Sequence, residues 1–157
     1  MEAMRITLRP CVESDTEILE AARNDPDSVA FSRRGALSRD EITGYYIVNP
    51  RKHTYMIATR SESLGYVALE EDTLHNDFLE ISIAIHPNAR GRGIAKRALQ
   101  VALQQAQMQF TSKIGIHAWI HDTNIVSKQL FAGMGFVPNG ETSIIAGRCL
   151  SQYEVLW

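Results

Sequence analysis

Residues 78–108 constrain the fold more than any other stretch, because one periodicity gives way to another across a glycine-rich junction. Phe78–His86 alternates as a strand, with Ile81, Ile83 and Ile85 on one face and Glu80, Ser82 and Ala84 on the other. Pro87 stops it. After Arg90-Gly91-Arg92-Gly93 the period changes, and Ile94, Ala95, Ala98, Leu99, Ala102, Leu103 and Ala106 predict an apolar stripe on a helix over 91–108. A strand feeding a long helix through glycines must pack that helix against a sheet. The junction can also present several backbone N–H groups to one anion, helped by the positive end of the helix dipole. Gly91 and Gly93 permit close approach, and Arg90 and Arg92 bring charge nearby, as in a pyrophosphate cradle. The plainer alternative is a structural turn. A mononucleotide P-loop is excluded, because the Gly-Lys-Ser/Thr ending is absent. The dinucleotide G-x-G-x-x-G pattern fails too, since Lys96 occupies the third glycine position.

The remaining segments fit one domain over residues 1–157, with no repeat, low-complexity tract or linker to divide it. Residues 5–10 read as a strand closed by Pro10. Ser14-Asp15 would cap a helix carrying Ile18, Leu19 and Ala22, which Asn24-Asp25-Pro26 ends. Ser38 and Glu41 form a capping-box pattern for a second helix running towards Asn49-Pro50. Strands are expected at 53–59, 64–70, 113–120, 143–145 and 152–157, and a further helix at 124–134. Such an order indicates an α/β layered fold with a mixed sheet.

Charge narrows the function classes. Lys and Arg total 16 against 18 Asp and Glu, a formal net charge of -2, so no basic excess points to nucleic acid and no polybasic run to a membrane surface. Any anion site must be local. Cys11 and Cys149 lie outside metal-ligand spacing and read as reduced thiols, consistent with a cytoplasmic protein without metal. The N-terminal MEAMRITLRP has no apolar core of a signal peptide, and no apolar run is long enough to span a bilayer.

Arg90-Gly91-Arg92-Gly93-Ile94-Ala95 resembles the R/Q-x-x-G-x-G/A motif of the GNAT superfamily of acyl-CoA-dependent N-acetyltransferases. The block from Asn124 through Ser127, Leu130 and Phe131 to Gly135-Phe136 is similar to that family's N-x-x-[AS]-x-x-L-[YF]-x-x-x-G-F element, and RITLRPCVESD to its opening strand and helix. The resemblance implies a mixed, mostly antiparallel α/β (α+β) sheet with helices on both faces, splayed between strands 78–86 and 113–120. It implies acetyl-CoA as cosubstrate: backbone of Ala84, Ile85 and His86 pairing with pantetheine, residues Arg90, Gly91, Arg92, Gly93, Ile94 and Ala95 at the pyrophosphate, Asn124 near the next helix start, and Phe131 at the thioester end.

Acetyl transfer to an amine needs a base, because an ammonium has no lone pair with which to attack. Glu80 is the first candidate; its plainer reading is a solvated or structurally paired carboxylate. His86, His117 and His121 titrate in a useful range, but none belongs to a metal-ligand set, and no nucleophile-elbow sequence supports a Ser/His/Asp triad. Many relatives carry a tyrosine that protonates the leaving thiolate where this chain has Phe131; the thiolate is already a fair leaving group, Tyr153, Ser127 or water could substitute, and the acid stays unassigned. The backbone N–H of Ile85 is placed to polarise the thioester carbonyl.

Residues 22–42, which contain Arg23-Asn24-Asp25-Pro26, resemble the corresponding region of GNAT members that acetylate nucleotide-linked amino sugars, as in the pseudaminic-acid pathway. On that resemblance Arg33 and Arg34 would hold the acceptor's diphosphate. The alternatives are a helix terminus and a solvated arginine pair, a ribosomal-protein N-terminal acetyltransferase, and a non-catalytic acyl-CoA-binding regulator. The expected partner is a small-molecule amine acceptor, with the chain a monomer or homodimer.

Overall fold

A computed structural model describes residues 5–157. Seven strands form one sheet: β1 (Thr7–Pro10), β2 (Lys52–Ala58), β3 (Ser63–Glu71), β4 (Phe78–Ile85), β5 (Gly115–His121), β6 (Val137–Ile145) and β7 (Arg148–Leu156). Their spatial order is β1-β2-β3-β4-β5-β7-β6, and every neighbouring pair is antiparallel except β4 with β5. Among the described residues five α-helices accompany them: α1 (Thr16–Arg23), α2 (Pro26–Phe31), α3 (Arg39–Ile42), α4 (Ile94–Gln109) and α5 (Ile125–Gly133).

Strand alternation builds two cores, one on each face. Val67, Leu69, Ile81 and Ile116 pack with Ile94, Ala98, Leu99, Ala102 and Ala106 of α4 and with Phe131 of α5. On the opposite face Met56, Tyr66 and Ala68 meet Leu19 and Ala22 of α1, together with Ile42 and Tyr46. The isoleucines of β4 thus serve the α4 side, and Glu80, Ser82 and Ala84 fall to the other face, as the alternation predicts.

The β4–β5 pairing is short. Only Phe78, Leu79 and Glu80 are in register with Gly115, Ile116 and His117, so beyond Glu80 the two parallel strands part. This is the expected splay. On its other edge β4 stays paired with β3 up to Gly65 opposite Ile85. Gly65 has φ +154°, and a Cβ there would collide with the Ala84 carbonyl oxygen and come within 2.9 Å of Ile85 Cα. Gly65→Ala is therefore expected to destabilise the fold by roughly 1–3 kcal/mol, as overpacking does. Chemical denaturation checks it, and an unchanged midpoint would show that β4 can shift freely.

Several boundaries differ from the sequence expectation. The long helix starts at Ile94 instead of 91, because Gly91 and Gly93 adopt φ +77° and +72°, outside the helical region. Asp15 does not cap α1. Its carboxylate accepts from both terminal nitrogens of the Arg9 guanidinium, at 2.7 and 2.8 Å, and from Val12 N–H at 2.9 Å. Pro26 ends one helix and opens another, with the Asp25 side chain accepting from Asp27 N–H. The capping box of Ser38 and Glu41 is present, but α3 makes one turn before a π-helical stretch, Thr43–Ile47. The closing strands are longer than expected. Pro138 and Gly140 mask the pattern, and the structure absorbs them in a register shift between Pro138 and Thr142.

Candidate active site

The splay opens a cleft of about 670 Å³ between β4, β5, α2 and the N-termini of α4 and α5. One end is the glycine junction. An added Cβ at Gly93 would meet nothing within 4 Å, so the space beside it is open. The first-turn N–H groups of α4, a 16-residue helix, lack intrahelical acceptors, and Gly91, Gly93, Ile94 and Ala95 line the cleft. The edge of β4 beyond Glu80, freed by the splay, offers unpaired backbone to an extended chain. Ala84 and Ile85 line the cleft there, whereas the His86 side chain turns back to accept from Asn88 N–H and is not in the lining. These features fit an extended ligand with a phosphate-bearing end.

The two arginines of the junction are committed elsewhere. Arg90 pairs with Asp25 at 2.7 Å and Asp27 at 3.2 Å, tying the junction to α2. Arg92 reaches Glu62 at 3.4 Å and the Asn88 carbonyl at 3.0 Å. Their charges are balanced by carboxylates, so backbone N–H groups and the α4 dipole are the uncommitted anion donors.

Across the middle of the sheet, register aligns Lys52, Glu70, Glu80, His117 and Glu154 in one row over five strands. Glu70 stands directly opposite Glu80, an unfavourable pair that cations relieve. Lys52 reaches Glu70 at 3.5 Å, and Arg33 holds Glu80 at 2.7 Å. Burial pushes the Glu80 carboxyl above its ordinary range. Arg33 counters this, while Glu70 and Asp72 reinforce it. A carboxylate with a raised pKa that still faces the cleft can accept a proton. The row continues beneath the cleft: His117, 2% exposed, has one ring nitrogen 2.9 Å from Asp72 and the other 2.9 Å from Glu154, and it stacks on Phe78.

At the α5 end Asn124 caps the helix, accepting from Ser127 N–H at 3.2 Å and donating to Ser127 Oγ at 3.0 Å. Ser127 and Phe131 lie one turn apart and both line the cleft. Phe131 packs edge-on against Phe136 with 4.9 Å between ring centroids. Tyr153 does not line the cleft. It sits on β7 opposite Ala118 and packs against the α4-side core. Of the two side chains named as acid candidates, Ser127 lines the cleft.

Arg33 and Arg34 both line the cleft but differ in engagement. Arg33 is bound to Glu80 and lies 5.7 Å from the Trp119 ring, and Arg34 lies 4.8 Å from the Tyr45 ring. Arg148 fixes this segment by donating to the carbonyls of Val29, Ser32 and Arg34. Sequence reading missed Arg23, Lys52, Glu70 and Tyr46 of the lining. Arg23 alone left a signal: it falls four residues after Leu19, on the buried stripe of α1, where a charge is out of place.

Among the described residues, no helix is long and apolar enough to cross a membrane. A comparison with curated proteins found no match. Solved structures of similar fold include a spermidine N-acetyltransferase from Vibrio cholerae in complex with CoA and spermine, at TM-score 0.83 and 20% identity, covering 96% of this chain and 95% of that one. A protein assigned as a phosphinothricin N-acetyltransferase superposes at TM-score 0.81 and 21% identity, covering 97% and 98%. A domain from Methanocaldococcus jannaschii does so at TM-score 0.80 and 23% identity, covering 99% and 100%. The family description "Acetyltransferase (GNAT) domain" matches residues 5–137, most of the length and all of α4's junction. This chain belongs to the GNAT family of acetyl-CoA-dependent N-acetyltransferases.

Proposed function

We propose that the chain moves acetyl from acetyl-CoA to the amine of a small molecule by direct attack, with Glu80 as the base. The observation that carries this reading is that the Glu80 carboxylate faces the same cleft as Gly93, the freed edge of β4 and Ser127. The pyrophosphate would rest on N–H groups at Gly91, Gly93, Ile94 and Ala95, and the pantetheine arm would run beside Ala84 and Ile85. Acetyl-CoA supplies the activated acyl group. The protein's own part is to strip the amine proton through Glu80, directly or across one water, and to hold the acceptor in line. The Ile85 N–H polarises the reacting carbonyl, the C–S bond breaks as the C–N bond forms, and Ser127 Oγ–H hydrogen-bonds the departing thiolate, which then takes its proton from solvent.

Arg33 acts here as a positioning residue for Glu80, since a guanidinium at 2.7 Å fixes the carboxylate's orientation. That commitment leaves Arg34, which has no salt bridge among the described residues, as the cation of this pair that could meet a diphosphate, and it weakens the case for a nucleotide-linked amino sugar. An amine panel monitored by free thiol separates the readings. Transfer to a peptide α-amine would favour the ribosomal-protein type of acceptor, and acetyl-CoA binding without transfer to any amine would favour a regulator.

Glu80→Gln is expected to lower kcat by about 10²–10⁴-fold near neutral pH, the usual range for a lost general base, with little change in acetyl-CoA affinity. The deficit should shrink as pH rises and free amine becomes abundant. Because its folded pKa is raised, ionised Glu80 costs stability as pH rises through its titration, so the variant should not melt earlier. Wild-type kcat at neutral pH would make Glu80 a purely structural partner of Arg33.

A further inference from the structure

Four cations line one side of the cleft: Arg23 of α1, Arg33 and Arg34 of the α2–α3 connection, and Lys52 of β2. Two of them are matched, Arg33 with Glu80 and Lys52 with Glu70. Arg23 is not. It is 6% exposed, and among the described residues it makes no ion pair. Its Nε donates to the Tyr46 hydroxyl at 3.2 Å and its Nη2 to the Arg34 carbonyl at 3.4 Å, while its Nη1 is shut off from solvent with no acceptor. A buried guanidinium facing only dipolar partners lacks a counter-charge, and its neighbours make matters worse. Lys52 Nζ lies 4.0 Å from the Tyr46 ring centroid, and Arg34 rests on Tyr45 with no salt bridge among the described residues, its charge felt by the Glu41 carboxylate. Such a charge is costly unless an anion completes it.

We propose that Arg23, with Arg34 beside it, forms an anion subsite that takes a carboxylate or phosphonate group of the acceptor, so that the substrate is an amine bearing a negative charge. The inference rests on the acetyl-transfer reading and adds the acceptor's class to it. Its physical content is a division of labour along the cleft wall. Glu80 serves the amine, and Arg23 with its neighbour Arg34 serves an acidic group on the same molecule. A polycation such as a polyamine would leave Arg23 uncompensated and add charge of the same sign.

The test uses matched acceptors: α-amino acids, their carboxamides, aminoalkyl phosphonates and spermidine, each with acetyl-CoA and free-thiol detection. Wild type should prefer the acids over their amides by at least about 10-fold in kcat/KM, the effect of one charge-assisted hydrogen bond. The acid and phosphonate arms tell the two anions apart. Arg23→Gln should erase the preference by raising KM for the anionic acceptors, leaving kcat for the amides and KM for acetyl-CoA nearly unchanged. The empty Arg23→Gln protein should melt no lower than wild type, because an unmatched buried charge has gone; a merely structural arginine would lower it. Arg23→Lys serves as a second variant and should keep part of the preference.

Equal use of amides or spermidine by wild type would overturn the subsite while leaving acetyl transfer intact. So would an Arg23→Gln loss shared by all acceptors, or one confined to acetyl-CoA, which would make Arg23 a contact for the cofactor's own phosphates. If no acceptor is acetylated, the acetyl-transfer reading fails instead. The subsite is then judged by whether amino acids and aminoalkyl phosphonates raise the melting temperature of wild type but not of Arg23→Gln; no rise in wild type overturns it.

Discussion

Gly93→Glu is expected to abolish the rise in melting temperature that CoA gives the native chain. Any ligand selective for the folded state stabilises it, by about 2.7 kcal/mol at a hundredfold excess over Kd. For a domain of this size that is about 5–11 °C. Gly93 has φ +72° and immediately precedes α4, with open space where a Cβ would project. A glutamate there puts bulk and negative charge into the space assigned to the pyrophosphate, against the helix end that favours anions. The left-handed dihedral itself costs a non-glycine residue roughly 1–2 kcal/mol. Gly93→Ala separates the two effects, since it carries the strain without the charge. The alanine variant should melt lower yet keep most of the CoA shift. An undiminished shift in a folded Gly93→Glu protein would remove this site from the junction.

The largest expected loss of stability is at Asp72, outside the lining of the cleft. Its carboxylate bonds His117 at 2.9 Å and accepts from the backbone N–H groups of Leu74 and His75, each at 3.0 Å. Asp72→Ala strips a buried imidazole of one partner and two turn N–H donors of the carboxylate oxygen they share. We expect a loss of about 3–5 kcal/mol, the range for breaking one side of a buried charge-assisted pair, or roughly 6–20 °C in melting temperature. Burial alone would raise the Asp72 pKa, but the His117 bond and the turn N–H groups outweigh it and hold the carboxyl below the ordinary aspartate range. Its contribution is therefore complete above the unfolded aspartate pKa, about 3.9, and is lost as pH falls through the lower folded value. Wild type and variant should converge in stability at strongly acid pH. A constant gap across that window would mean the side chain acts through packing alone.

Local physics makes some of this architecture legible in the sequence itself. The alternation of Phe78–His86 placed Glu80 opposite the isoleucines, the stripe from Ile94 to Ala106 placed α4 against the sheet, and Gly91 and Gly93 marked the junction. Each signal is read within a few neighbouring residues, so one sequence contains it. The capping box at Ser38 and Glu41 is legible for the same reason. Local rules also misled where two meanings share one residue. Pro26 both stops a helix and starts one, and Pro138 with Gly140 hides a nine-residue edge strand.

The pairing of charges could not be read that way. Arg33 meets Glu80 across 47 residues, Arg90 meets Asp25 across 65, and His117 meets Glu154 across 37. Strand register and the crossing of α2 over the cleft decide which carboxylate each cation finds. Composition fixes that this chain has 16 cations and 18 carboxylates, and the GNAT-like spacing fixes where the glycines fall. Only the tertiary structure decides that Arg33 is matched, that Arg90 is matched, and that Arg23 is buried on the wall of the cleft without a counter-charge. The reason is that a charge's partner depends on distance through the folded protein, and register sets that distance with no trace in the local sequence.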